Sequence, residues 1–324
     1  MRRVPAPGRT EPPAPGGGGP PRGGLRARAL GSLRLVHPFP SLLDAAATGA
    51  LAILAGGSVA TAAVLALSML AIQFAIGTVN DLVDAPRDSV GRPRKPIASG
   101  SVTRREARVV AVAAGSLGLG LAATRGPAAL AIAAAGLGVG LAYDVALKPT
   151  PLSWLPYAIG IPLVPLFAWT GAVGSVPPAV LGLSLLAVPA GAGVAVANAL
   201  ADLDDDRRAG TRTVATSLGA ERAWRVATAL LGATYLVAVA ALVASGGGPG
   251  GTGAGGGGAS GLAMTAGWVA IAATAVLLVL GSWMGRGPVA SRRRAGWGIQ
   301  AVGVVILGCG WVAVLLGTGQ LAGA

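Results

Sequence analysis

The chain has 324 residues, of which 53% are hydrophobic and 11% charged, against roughly 25% charged in soluble domains. That leaves too little polar surface to cover a water-soluble globule, so the composition excludes a soluble enzyme or binding module and makes lipid the natural solvent. A net charge of +13 would suit a nucleic-acid binder, but the basic residues sit between apolar runs, aromatic content is only 4%, and no nucleic-acid-binding module is legible, so no nucleic-acid partner is expected.

In chain order, residues 1–30 are rich in Pro, Gly and Arg and read as a disordered basic tail. No apolar run follows closely enough to make a signal peptide. Residues 31–324 read as one membrane domain. A spanning helix needs about 20 mostly apolar residues, and nine segments qualify. The first two, 39–56 and 59–79, are split by Gly56-Gly57. The next two, 107–123 and 127–146, are split by Arg125-Gly126-Pro127. Then come 152–172, 177–200 and 223–245, a Gly-rich linker at 246–260, and finally 262–284 and 295–317. The expected fold class is an all-α membrane protein with nine transmembrane helices. Nine spans put the tail and every second loop on one side, and of the 25 Lys and Arg all but Arg125 then fall on that side or its helix ends. Basic residues favour the cytoplasmic face. The expectation is therefore a multi-pass protein of the cytoplasmic (inner) membrane, N-terminus inside and C-terminus outside. Of the 12 carboxylates, only Glu11 and Asp44 lie away from the cytoplasmic loops and helix ends. The single cysteine, Cys309, excludes an intrachain disulfide and a cysteine metal site.

Two stretches carry the chemistry. The second segment runs into Asn80-Asp81-Leu82-Val83-Asp84-Ala85-Pro86-Arg87-Asp88, and the sixth into Asn198-Ala199-Leu200-Ala201-Asp202-Leu203-Asp204-Asp205-Asp206. Both contain N-x3-D-x3-D. Spacing of four puts Asn80, Asp84 and Asp88 on one helical face, and likewise Asn198, Asp202 and Asp206, with a drift of about 40° per step. Pro86 is expected to end the first helix, leaving Asp88 in the loop. Like charges clustered at a membrane edge need cations. Carboxylates that leave room for substrate oxygens suit Mg²⁺, which bridges a few carboxylates to phosphates. Basic residues follow each cluster: Arg92, Arg94 and Lys95 after the first, Arg207, Arg208 and Arg212 after the second, and Lys148 after the fourth segment. Such cations beside a metal-bound diphosphate would neutralise the leaving group. Asp204 and Asp205 read as solvated turn residues, His37 as an interfacial structural residue, and Arg104, Arg105 and Arg292 to Arg294 as topology signals only.

At these residues the sequence resembles the UbiA superfamily of intramembrane prenyltransferases. Asn80, Asp81, Asp84 and Asp88 fill its first motif, N-D-x2-D-x3-D. Asp202 and Asp206 fill its second, D-x3-D. The Pro96-Ile97-Ala98-Ser99-Gly100 stretch, the Tyr143–Lys148 stretch, and Gly210 with Thr213 also look like the family. The resemblance implies a helical bundle around a central cavity, closed on the cytoplasmic side by two loops. It implies Mg²⁺ held by Asp81, Asp84, Asp88, Asp202 and Asp206, with a prenyl diphosphate bound by Asn80, Arg94, Lys95, Tyr143, Asn198 and Arg212. Lys148, Asp81 and Asp202 are the expected catalytic residues. The implied reaction transfers the prenyl group to an aromatic or lipid-like acceptor within the membrane, in quinone or other isoprenoid lipid synthesis. The Asp88 to Gly100 spacing looks like members acting on homogentisate, chlorophyllide or geranylgeranylglyceryl phosphate, whereas the Asp202 to Asp206 run looks like 4-hydroxybenzoate members. No oligomeric state is implied.

Two other classes remain at this point. A CDP-alcohol phosphotransferase also uses Asp-rich helical metal sites, but its motif D-x2-D-G-x2-A-R meets Asp81-x2-Asp84-Ala85-Pro86-Arg87 here. A cation-coupled membrane transporter should carry its charges near the bilayer midplane, whereas these lie at helix ends.

Overall fold

The computed structural model describes residues 35, 37–91, 95–244 and 258–321. The expected tail, 1–30, lies outside them, as do Arg92 to Arg94 and most of the Gly-rich linker. Among the described residues nine long helices follow one another. They are α1 (Pro38–Leu54), α2 (Val59–Gly91), α3 (Arg104–Ala123), α4 (Pro127–Ala142), α5 (Leu155–Val173), α6 (Pro178–Ala201), α7 (Ala220–Ala244), α8 (Gly258–Gly285) and α9 (Ala290–Gly317). Eight helices, α2 to α9, are long and apolar enough to cross a membrane. The chain is a multi-pass membrane protein. The ninth expected crossing falls on α1, whose 17 residues stand at the short end of the range for a spanning helix.

Helix α2 carries the first motif past the membrane edge. Its 33 residues extend about 50 Å at 1.5 Å per residue, beyond a hydrocarbon core of about 30 Å. The surplus is the polar stretch from Asn80 onward. The helix does not stop before Pro86, as the sequence suggests, but continues to Gly91 with Pro86 inside it. Proline removes one backbone hydrogen bond and normally kinks a helix. Here side-chain bonds to Asp81, Asp84 and Asp88 on both sides of Pro86 hold the last turns together, so Asp88 is helical rather than in the loop. Helix α6 behaves differently. It ends at Ala201, Asp202 occupies the junction, and a short helix, Leu203–Arg208, comes at once. The Asp206 N–H still donates to the Asp202 carbonyl at 2.9 Å, so the two aspartates stay one turn apart despite the break.

The bundle is a ring with two outer supports. Helices α1, α2, α4, α5, α6, α7 and α9 line one central cavity, and α1 closes the ring against α9. Helices α3 and α8 contribute no lining residue; α3 packs on α2 and α4, and α8 chiefly on α9. The α8–α9 contact is close because glycines face each other. A β-carbon at Gly281 or Gly296 would lie 2.7 or 2.6 Å from the other glycine's carbonyl oxygen. Between membrane helices, packing of small residues replaces the hydrophobic effect as the source of association.

Candidate active site

Each side chain at the cavity mouth is placed by a local feature. The α2 end presents Asp81, Asp84 and Asp88, which are 2%, 9% and 7% exposed. Lys95 comes from the loop after α2. That loop is folded on itself, with the Pro96 carbonyl accepting from the Ser99 and Ser101 hydroxyls at 3.1 and 3.0 Å. Leu35, Val102 and Ala107 pin it to the bundle in a small apolar cluster. A capping box between Thr103 and Glu106 then starts α3. So anchored, the Lys95 ammonium donates to Asp81 Oδ1 at 2.7 Å and stands 3.3 Å from Asp88 Oδ2. Burial works against its charge, but Asp81, Asp88 and Asp84 outweigh burial and hold its pKa above the ordinary lysine value.

The other half of the first cluster comes from the end of α4. The last turn there is a π-helix, Tyr143–Leu147, closed by the Lys148 N–H donating to the Tyr143 carbonyl at 2.8 Å. One extra residue in a turn rotates every side chain downstream of it, and such turns are frequent at functional sites. Here it turns Asp144 inward to accept from the Asn80 amide at 2.7 Å, and sets the Lys148 ammonium on Asp84 Oδ2. The α2 surface thus divides in two: Asp81 and Asp88 share Lys95, while Asn80 and Asp84 meet the end of α4.

The second cluster is bonded to α9. Arg294 reaches Asp202 at 3.1 Å and Asp205 at 2.9 Å. Arg293, 6% exposed, binds the Asp204 carboxylate and the Leu200 carbonyl, the latter at 3.0 Å. Carbonyls of a last helical turn lack intrahelical partners and attract cations. The reading of Arg293 and Arg294 as topology signals is therefore corrected: their charges lock α9 to the end of α6. Asp204 and Asp205 are likewise partners in ion pairs, not merely solvated turn residues. The two clusters are joined through rings. Tyr143 meets Tyr157 edge-on at 5.6 Å, and the Asn198 amide donates to the Tyr157 hydroxyl at 3.2 Å.

Behind this mouth lies a cavity of about 850 Å³. Asn80, Lys95, Tyr143, Lys148, Asn198 and Asp202 line its polar end with Arg294, and Met69, Ile72, Phe167, Leu183 and Trp311 line its depth. Asp81, Asp84 and Asp88 stand directly behind Lys95 and Lys148. Asp206 lies on the short helix one turn after Asp202. Arg212 is exposed and does not line the cavity. Arg94 lies outside the described residues. The sequence reads His37 as an interfacial structural residue; its Nε2 lies 3.0 Å from Asp81 Oδ1, and it lines the cavity. It has a left-handed backbone, φ 47°. Gly77 makes room for its ring, since a β-carbon there would lie 3.2 Å from it. A lone histidine before a helix carries no such signal; only the fold brings it to an aspartate 44 residues away.

Among the described residues no three Asp, Glu, His or Cys side chains gather as a ready-made metal cage. Mg²⁺ needs none: it usually takes one or two carboxylates and completes its shell with water and substrate phosphate oxygens. The donors here are hard carboxylate oxygens, and Asp81 Oδ2 is a buried acceptor without a hydrogen-bond partner. That combination fits Mg²⁺.

The model of the UbiA prenyltransferase family matches residues 43–281. The chain belongs to this family. UbiA membership sets aside the phosphotransferase and transporter readings. A digeranylgeranylglyceryl phosphate synthase of Methanopyrus kandleri is 33% identical over 255 residues, covering 78% of this chain and 89% of that protein. The chlorophyll synthase of Arabidopsis thaliana is 27% identical over 180 residues, covering 52% of this chain and 46% of that one. Among solved structures, a UbiA homologue from Archaeoglobus fulgidus bound to GPP and Mg²⁺ superposes with a TM-score of 0.64 at 18% identity, covering 88% of this chain and 99% of that one. A UbiA homologue from Aeropyrum pernix gives 0.65 at 22% identity, covering 83% and 96%. These likenesses establish the shared fold.

Proposed function

We propose that this chain transfers a prenyl group from a prenyl diphosphate to a lipid-like acceptor inside the membrane, with Mg²⁺ as cofactor. The observation that carries the reading is the division of one cavity. Its mouth joins two aspartate clusters to the cations Lys95, Lys148 and Arg294, and its depth is apolar. A diphosphate with a long hydrocarbon tail has that polarity. The acceptor class is an isoprenoid-type lipid, supported by the relative that is 33% identical over 89% of its length; nothing comparable supports a quinone precursor.

In this reading Asp81, Asp84 and Asp88 from the first cluster, and Asp202 and Asp206 from the second, would hold Mg²⁺. When bound, the ion withdraws electron density from the diphosphate oxygens and makes them a better leaving group. Lys95 and Lys148 face the oxygens on which negative charge grows as the allylic C–O bond breaks, the point where a fixed cation lowers the barrier most. Asn80 and Asn198 orient the same group with their amides. The apolar walls around Phe167 and Leu183 keep water from the allylic cation, so the acceptor lipid rather than water forms the new bond. Arg94 takes a phosphate-binding role from the first loop. Arg212, exposed and off the cavity, is given none. The excess of Lys and Arg in alternate loops supports a cytoplasmic mouth, with the N-terminus inside and the C-terminus outside.

The test is product analysis. Purified protein with Mg²⁺, geranylgeranyl diphosphate and a total lipid extract of its host should release diphosphate and yield lipids heavier by one prenyl group. Release of diphosphate with prenyl alcohol as the only product would overturn transfer to a lipid.

A further inference from the structure

The cavity has a second polar feature, far from the aspartate clusters. Asp44 on α1 and Gln73 on α2 both line it, and the Gln73 amide donates to Asp44 Oδ2 at 2.5 Å. Asp44 lies seven residues beyond His37, and Gln73 eight before Asp81. At 1.5 Å per residue the pair is therefore about 10–12 Å deeper along these helices than the first motif. On α2 Gln73, Gly77 and Asn80 face the cavity together with Ile76, so about two turns of wall separate the mouth from the pair. Just beyond it the wall turns apolar at Ala47, Leu51 and Met69.

A carboxylate at this depth is costly and marks function by default. Among the described residues Asp44 Oδ1 and Gln73 Oε1 have no hydrogen-bond partner, and against these two acceptors the pair retains one spare N–H. The site is thus rich in acceptors and short of donors. A phosphate or carboxylate offers only further acceptors and finds few donors there. An O–H or N–H group fits. Anions have their place at the mouth, among Lys95, Lys148 and Arg294.

We infer that Asp44 and Gln73 form a binding site for a neutral hydrogen-bond donor, a free hydroxyl of a lipid, which seats the acceptor against the α1–α2 wall while the prenyl tail occupies the apolar side. This rests on the cavity being the acceptor's seat, and it makes the acceptor an alcohol or phenol at this position and not an acid. Three ligands with one chain length test it: monoolein, with two free hydroxyls, methyl oleate, with none, and oleate, an anion. Native mass spectrometry of the purified protein without Mg²⁺ or prenyl diphosphate reads their binding separately from prenyl transfer. Wild type should hold monoolein roughly tenfold more tightly than methyl oleate, the scale of one net hydrogen bond, and oleate least. Asp44→Leu and Gln73→Leu should remove that preference, and Asp44→Asn, which keeps an acceptor oxygen, should retain part of it. A role in helix packing alone would lower the melting temperature and leave the ratio unchanged. Equal binding of monoolein and methyl oleate by wild type, or an undiminished ratio in every folded variant, overturns the inference. Loss of diphosphate release with the ratio intact would instead count against the proposed reaction.

Discussion

At the scale of single residues, cations proposed to face a leaving group differ from cations that fasten helices. Lys148 sits on Asp84 at the cavity mouth, so Lys148→Ala should lower the rate at saturating prenyl diphosphate by roughly 10²–10³, the usual effect of removing one donor to a developing charge. Arg292, stacked on the Trp283 ring at 4.6 Å, is the control, and Arg292→Ala should stay near wild type. Equal small losses in both would return Lys148 to an interfacial anchor. Arg293→Ala should act on stability rather than rate. It leaves the Leu200, Gly287 and Pro288 carbonyls without their donor, at about 1–3 kcal/mol, read as a lower thermal midpoint with turnover per folded molecule preserved. The placing of Lys95 and Lys148 on the aspartate side was legible, because Lys95 lies in the loop after the first motif and Lys148 at the end of the fourth segment. Arg293 and Arg294 were not, since a basic cluster before an apolar run looks the same whether it sets topology or crosses to another helix.

At the scale of elements, the π-turn is the device that aims Lys148. Deleting Val145, which is exposed and whose loss removes little packing, should restore an α-helical repeat and rotate Lys148 by about 100°. Mg²⁺-dependent turnover should then fall by at least about 10²-fold while the thermal midpoint moves by only a few degrees. Turnover near wild type would show that the π-turn places nothing. Nothing in Tyr143 to Leu147 announced this turn: apart from Asp144 the stretch reads as the end of an apolar helix. The segments themselves were recovered within a few residues, because lipid burial demands long apolar runs. Their ends were not, because hydropathy stops at the first charge whereas α2 continues for another eleven residues beyond Asn80, held by ion pairs that no local pattern reveals.

At the scale of the whole molecule, charge asymmetry and cavity polarity agree: the aspartates face the side where the basic loops lie. With α3 to α9 all crossing, reporter fusions after Gly100 and after Ala324 should report opposite sides of the membrane, and reports from the same side would remove one of these helices from the set of crossings. The ring with α3 and α8 as outer supports was not legible, since no apolar pattern says which helices line a cavity. The pairing of the two motifs was, since each ends an even-numbered segment and so meets the same face. That pairing is the central claim, and diphosphate release from geranylgeranyl diphosphate by purified Asp84→Asn and Asp202→Asn proteins tests it most directly. Wild type is predicted to release diphosphate only with Mg²⁺, and both variants, although folded and inserted, to be essentially inactive because each loses a carboxylate from one of two facing clusters. Near-normal, Mg²⁺-dependent release by either folded variant would contradict it.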